Sequence, residues 1–207
     1  LAGMSEMTER IPMTTNHTKQ GGRRSTIEAH RESGVPIMLT QAIIVACTLC
    51  FCELLCSPLY VSFAPRVFPI LPWALVAMLL AVMFSYVVGF ALLWCAESFA
   101  YRMKRKLQPV VYAVTGAIGF GVWTVWVVLG IMNMISGRLG MGTVSADHTT
   151  IAAINGAVLG LASFFAAFTL GERLAKHRTV VIVLGVVSVL LAVGGGYVLA
   201  AMMHAVA

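Results

Sequence analysis

Four cysteines and one glutamate lie within ten residues, in the segment CTLCFCELLC at residues 47–56. Thiols and a carboxylate at such spacing could bind a metal ion, form a redox pair or carry protons. On a helix each residue turns by about 100°, so the four sulfur atoms spread around most of the circumference. One straight helix cannot direct them at a single ion, because every ligand of a tetrahedral site lies about 2.3 Å from the metal. We therefore predict no metal site and no disulfide here, and interpret the cysteines as small apolar helix residues.

A redox function is the alternative interpretation of the same segment. CTLCFCE resembles the C-x-L-C-x-x-E stretch of membrane oxidoreductases that pass disulfides to quinone. Those enzymes also need a second cysteine pair in an outer loop, whereas the remaining cysteine of this chain is Cys95 alone.

The composition indicates which solvent surrounds this segment. Of the 207 residues, 59% are hydrophobic and 11% are charged, whereas about a quarter of a soluble domain is charged. Long uncharged runs of about 20 residues are sufficient to cross a hydrocarbon core of about 30 Å. We predict an all-α, polytopic membrane protein whose membrane domain, residues 37–207, is a bundle of five transmembrane helices, at about 37–60, 70–96, 109–135, 149–171 and 179–203.

The distribution of Lys and Arg predicts the orientation. Residues 1–36 are polar and are predicted to form a flexible cytoplasmic tail. If this tail lies inside, twelve of the 14 Lys and Arg residues lie on the inner side and two, Arg66 and Arg138, on the outer side. Cytoplasmic loops are enriched in positive residues, so we expect the N-terminus inside and the C-terminus outside a plasma membrane. The net charge of +6 then reflects topology, and nucleic-acid binding is not predicted.

Glu53 is the acidic residue placed well inside a predicted span. A charged side chain at such depth costs on the order of 3 kcal/mol or more, so it should face the bundle or a wet cavity. The helical rise places residue 53 in the outer third of the bilayer, and places Asn155, Thr124 and the triplet Gly194, Gly195 and Gly196 at a similar level. We predict a polar site there. The alternative is structural, a protonated Glu53 hydrogen-bonded to Asn155 between helices.

Small residues at four-residue spacing predict close helix contacts. Gly156 and Gly160 form such a pair in the fourth span, and Ala113, Ala117 and Gly121 form a matching stripe in the third. These stripes could pack within the bundle or against a partner protein. Asp147 is predicted to cap the start of the fourth span. We find no nucleophile–base pair, metal motif or phosphate-binding loop, so an enzyme is not the favoured function and no cofactor is predicted.

Residues 164–198, including FFAAFTLGERLAKH, resemble the end of the five-helix unit of the drug/metabolite transporter superfamily. In that family an L-G-E-R stretch closes the fourth helix, and the corresponding residues here are Leu170, Gly171, Glu172 and Arg173. The resemblance implies transport of a small metabolite and a need for a second five-helix unit.

Two functions follow from these observations. One is a small transporter or channel-like unit that uses the buried carboxylate of Glu53. The other is a non-catalytic accessory or scaffold subunit that docks on a larger membrane complex through its glycine stripes. In both cases the expected partners are the lipid bilayer and either further copies of the chain or a larger membrane complex.

Overall fold

A computed structural model describes residues 36–63 and 69–205. These residues form five long helices, and no strand occurs among them. The helices are α1 (Ile37–Phe63), α2 (Ile70–Ala100), α3 (Gln108–Arg138), α4 (Ala146–Leu174) and α5 (Arg178–Ala205). Each is long and apolar enough to cross a membrane, so the prediction of an all-helical chain with five such helices is confirmed. Residues 1–35 of the predicted tail, and Arg66, lie outside the described residues.

The two ends of the helix bundle differ in charge. Near one end lie the α2–α3 link, the end of α4 and the start of α5, with the basic residues Arg102, Lys104, Arg105, Lys106, Arg173, Lys176 and Arg178. We call this the basic end. The opposite end carries Arg138 in the last turn of α3.

The turn between α3 and α4 follows standard helix-end chemistry. Leu139 is the C-cap of α3, and the next residue, Gly140, has a φ of 71°, which glycine adopts without steric cost. Ser145 is the N-cap of α4, and its side chain accepts a hydrogen bond from the backbone N–H of His148 at 3.3 Å. The prediction that Asp147 caps this helix was wrong. Asp147 lies in the first turn, where its negative charge complements the helix dipole.

Helix α1 packs against three helices, α2, α4 and α5. The residues of its buried face recur every three or four positions, as expected for one side of a helix. This face consists of Ala42, Ala46, Leu49, Glu53, Ser57 and Tyr60, each at most 1% exposed. Helix α3 packs mainly on α4 and also on α2, whereas α5 packs on α2 and α1.

Two helices contain a π-helical segment that the sequence did not predict. The segments are Phe84–Gly89 in α2 and Thr124–Val128 in α3. A hydroxyl near the start of each segment donates to a backbone carbonyl four residues earlier: Ser85 to Ala81 and Thr124 to Phe120, both at 2.8 Å. Such segments interrupt the regular i to i−4 ladder and often occur at functional sites.

Candidate functional site

Glu53 lies in the middle of the buried face of α1 and is 1% exposed. Neither oxygen of its carboxyl group has a hydrogen-bond partner among the described residues. The nearby hydroxyl of Ser57 donates to the backbone carbonyl of Glu53 at 2.8 Å, and so does not satisfy the carboxyl group. A buried polar group without a partner retains its full desolvation cost. Packing therefore does not explain why a glutamate stands at this position.

Asn155 on α4 is bonded to α1, but one to two turns beyond Glu53. Its side-chain amide donates to the hydroxyl of Tyr60 at 3.1 Å. Its side-chain carbonyl accepts from the thiol of Cys56 at 3.5 Å. The hydrogen bond from Glu53 to Asn155, expected in the structural alternative, is not formed. Asn155 instead joins two α1 residues that lie closer to the opposite end of the bundle.

Thr124 lies at the interface of α3 and α4 and is fully buried. Its hydroxyl group occupies the space beside Gly156, where a Cβ atom would meet Thr124 Oγ1. Since Gly156 follows Asn155 directly, Thr124 and Asn155 lie at one level of the bundle. Their side chains bond to different groups: Thr124 donates to the carbonyl of Phe120, whereas Asn155 is bonded to Cys56 and Tyr60.

The glycine triplet of α5 lies within a continuous helix. Gly195 faces α2, and a Cβ atom on it would meet the backbone carbonyl of Leu75 and would lie 2.8 Å from Leu79 Cβ. Nothing lies within 4 Å of the corresponding Cβ positions of Gly194 and Gly196 among the described residues. Gly195 therefore serves as a close packing contact with α2, and the triplet does not unwind the helix.

Two glycines of α4, Gly156 and Gly160, pack closely against α3 of the same chain. A Cβ atom on Gly160 would meet the backbone carbonyl of Gly116, and one on Gly116 would meet the carbonyl of Gly160 and the ring of Phe164. Gly121 likewise contacts Ala157 and the carbonyl of Ala153. On the third span, Ala113 is buried and Ala117 is partly buried. Gly116 is not part of the predicted stripe, because Ala113, Ala117 and Gly121 are offset from it by one helical position.

Three cysteines of α1, Cys47, Cys50 and Cys56, face three different helices. Cys47 Sγ lies 3.7 Å from the backbone carbonyl of Leu184 in α5, and Cys50 Sγ lies 3.8 Å from that of Met78 in α2. The thiol of Cys56 is bonded to Asn155 in α4. These three thiols thus join α1 to α5, α2 and α4.

An aromatic cluster, Phe84, Phe120, Trp123 and Phe164, packs in the same core as Leu49 and Cys50, which precede Glu53 on α1 on the side of the basic end. The ring of Phe84 lies 4.9 Å from Phe120, 5.7 Å from Trp123 and 6.4 Å from Phe164, measured between ring centroids. Phe84 begins the π-helical segment of α2, and Trp123 immediately precedes that of α3. The indole Nε1 of Trp123 is buried without a hydrogen-bond partner among the described residues. No sequence pattern indicates this cluster, because aromatic residues are common in membrane helices.

Comparisons with family models, curated proteins and solved structures find no match to this chain. The function must therefore be argued from the geometry of the site.

Proposed function

We propose that the chain is a small, proton-coupled transport unit in which Glu53 takes up and releases the proton. The observation that supports this proposal is a fully buried carboxyl group, on a helix that packs against three others, with no hydrogen-bond partner among the described residues. A residue with only a structural role would normally be hydrogen-bonded at this depth. Intramembrane ionisable groups are instead typical of proton and ion pathways.

A proton suits this site better than a metal cation. Sodium and similar cations need several oxygen ligands, whereas a proton needs one basic group. The buried side chains that flank Glu53 on α1 are apolar, thiol, hydroxyl and phenol groups, namely Leu49, Cys50, Ser57 and Tyr60. A charged carboxylate is costly in such surroundings and a neutral carboxylic acid less so. The carboxyl group of Glu53 therefore exchanges its proton only when water reaches it.

The aromatic cluster supplies the barrier that coupling requires. It shares a core with Leu49 and Cys50, which lie on the basic-end side of Glu53 along α1, and the centroid of the Phe84 ring lies 4.9 Å from that of Phe120 and 5.7 Å from that of Trp123. We propose that the π-helical segments that carry Phe84 and adjoin Trp123 allow these rings to move. When the rings separate, water reaches Glu53 from the basic end.

The test is proton flux in proteoliposomes, followed with a pH-sensitive dye inside the vesicles. Wild-type protein should dissipate an imposed pH gradient, and Glu53→Gln should reduce the rate at least tenfold, because the amide has the same shape and cannot exchange a proton. Asp147→Asn, which neutralises an exposed carboxylate at the opposite end, is the matched control and should behave as wild type. Equal rates for wild type and Glu53→Gln would contradict the proposal.

We further propose that the basic end faces the cytoplasm, in a plasma membrane, and that the working form is either a homo-oligomer or part of a larger membrane complex. The asymmetry of basic residues between the two ends supports the orientation. Native mass spectrometry from mild detergent tests the assembly, since one chain contributes 22.2 kDa. A mass equal to one chain would contradict both forms of assembly.

A further inference from the structure

A second polar region lies at the basic end, away from Glu53. Four helices, α1 to α4, surround a cavity of about 660 Å³ there. This volume lies within the range of about 300–1,000 Å³ that is typical of small-molecule sites. Its walls include aromatic, amide and charged side chains, unlike the aromatic cluster deeper in the bundle.

Two buried polar side chains line the cavity without a hydrogen-bond partner among residues 36–63 and 69–205. Gln41 is 9% exposed and Tyr112 is 5% exposed. Neither the amide of Gln41 nor the hydroxyl of Tyr112 is hydrogen-bonded to another side chain or backbone group in the described part of the chain.

Both side chains are held in place by packing. The ring of Tyr112 lies 5.0 Å from that of Phe168. Gly171 leaves room for the Gln41 side chain, since a Cβ atom there would lie 3.0 Å from Gln41 Cγ. Fixed donors and acceptors of this kind orient a bound molecule.

The cavity also carries charges of both signs. Two carboxylates, Glu97 and Glu172, and two guanidinium groups, Arg105 and Arg173, line it. Within the described residues, none of the four is in an ion pair at the 4.0 Å limit for such a contact. The four formal charges sum to zero. A simple anion would be repelled by the two carboxylates, and a simple cation by the two guanidinium groups. A molecule that carries both charges can satisfy both sets at once.

We propose that this cavity binds a small zwitterion, with its anionic group on Arg105 and Arg173 and its ammonium group on Glu97 and Glu172. Gln41 and Tyr112 then contribute neutral hydrogen bonds from the buried side. Two sources share this chemistry: a free α-amino acid, and the headgroup of phosphatidylethanolamine. Binding here does not depend on the role proposed for Glu53, because occupancy is measured without flux.

The experiment uses the full-length protein in mild detergent. Thermal-shift measurements with each of the twenty L-amino acids test the free ligand, and native mass spectrometry after addition of phosphatidylethanolamine or phosphatidylglycerol tests the lipid. The best amino acid is then compared with two single-charge analogues, the amine that lacks its carboxylate and the acid that lacks its amine. We expect one zwitterion to bind at least tenfold more tightly than either analogue, or phosphatidylethanolamine to be retained in preference to phosphatidylglycerol.

Variants locate the binding. Glu172→Gln and Arg173→Gln should each weaken it roughly tenfold or more, as expected for the loss of a charge-assisted contact. Lys176→Gln changes a basic residue at the same end that does not line the cavity, and should bind as wild type. Glu53→Gln should also bind as wild type, which separates this proposal from the proton-coupled one. Absence of binding by all these probes, or equal binding of a zwitterion and its single-charge analogue, would overturn the inference.

Discussion

The free-energy cost of burying polar atoms differs between Glu53 and its neighbours on α1. Tyr60 and Cys56 are hydrogen-bonded to Asn155, so each offsets part of the cost of its polar atoms. The Glu53 carboxyl has no such compensation among the described residues. A substitution that removes the carboxyl group should therefore increase stability while it impairs function.

Glu53→Leu should leave the protein as stable as wild type or more stable, while it abolishes proton flux. The reason is that a buried polar group without a partner costs about 1–3 kcal/mol, and leucine removes that group while it fills a similar volume. Reversible unfolding in mixed micelles measures the change. A loss of stability of more than about 1 kcal/mol, near the net value of one hydrogen bond, would mean that Glu53 has a structural partner after all.

The bond between Asn155 and Tyr60 should be worth little by itself. Side-chain hydrogen bonds between membrane helices average about 0.6 kcal/mol in double-mutant cycles. We expect a coupling energy of that order from Asn155→Ala, Tyr60→Phe and the combined variant. A cycle between Asn155 and Ser188, which is bonded to Tyr86 elsewhere in the bundle, is the control and should show no coupling.

At the scale of helices, glycine positions separate into close contacts and open ones. Gly160→Ala should destabilise the α3–α4 pair by several kcal/mol, because its Cβ atom would meet the backbone of Gly116, which cannot move as a side chain can. Gly194→Ala adds the same atom to a helix position with open space, and should be neutral or slightly stabilising. Thermal unfolding of the two variants tests the contrast. Similar stabilities for both would show that the two helices are not in close contact at Gly160.

These glycine contacts also change how the accessory-subunit hypothesis can be tested. A leucine at Gly156 or Gly160 would disrupt the fold of the chain itself, since both positions face α3. Loss of assembly in such a variant therefore does not report on docking to another protein.

The sequence predicted the helices well and the site only in part, for a physical reason. Apolar length determines where a helix crosses a membrane, so the five helices could be predicted from hydropathy. The helical rise gives the depth of a residue but not the direction in which its side chain points. For that reason Glu53 and Asn155 were paired by level, whereas the structure bonds Asn155 to Cys56 and Tyr60. The π-helical segments depend on packing between helices, and no local pattern marked them.

At the scale of the whole molecule, the orientation can be tested by labelling. In a variant whose native cysteines are replaced, a new cysteine at Thr143 should react with a membrane-impermeant maleimide in intact cells, because Thr143 lies in the link at the opposite end. A cysteine at Lys104, at the basic end, should react only after the cells are opened. The reverse pattern would show that the basic end faces outward, against the charge rule.

The packing of α1 against α4 also has a consequence for biosynthesis. Ribosomes make this helix before the other four, yet one of its main packing partners, α4, begins at Ala146. Until about a hundred further residues have been translated, the Glu53 side chain lacks its α4 neighbours. During that time it lies in lipid, in the insertion machinery or beside a chaperone. Among the five described helices, α1 is therefore made first and acquires its α4 contacts late. Chains truncated before Ala146 should accordingly be recognised as unassembled and degraded faster than the full-length protein.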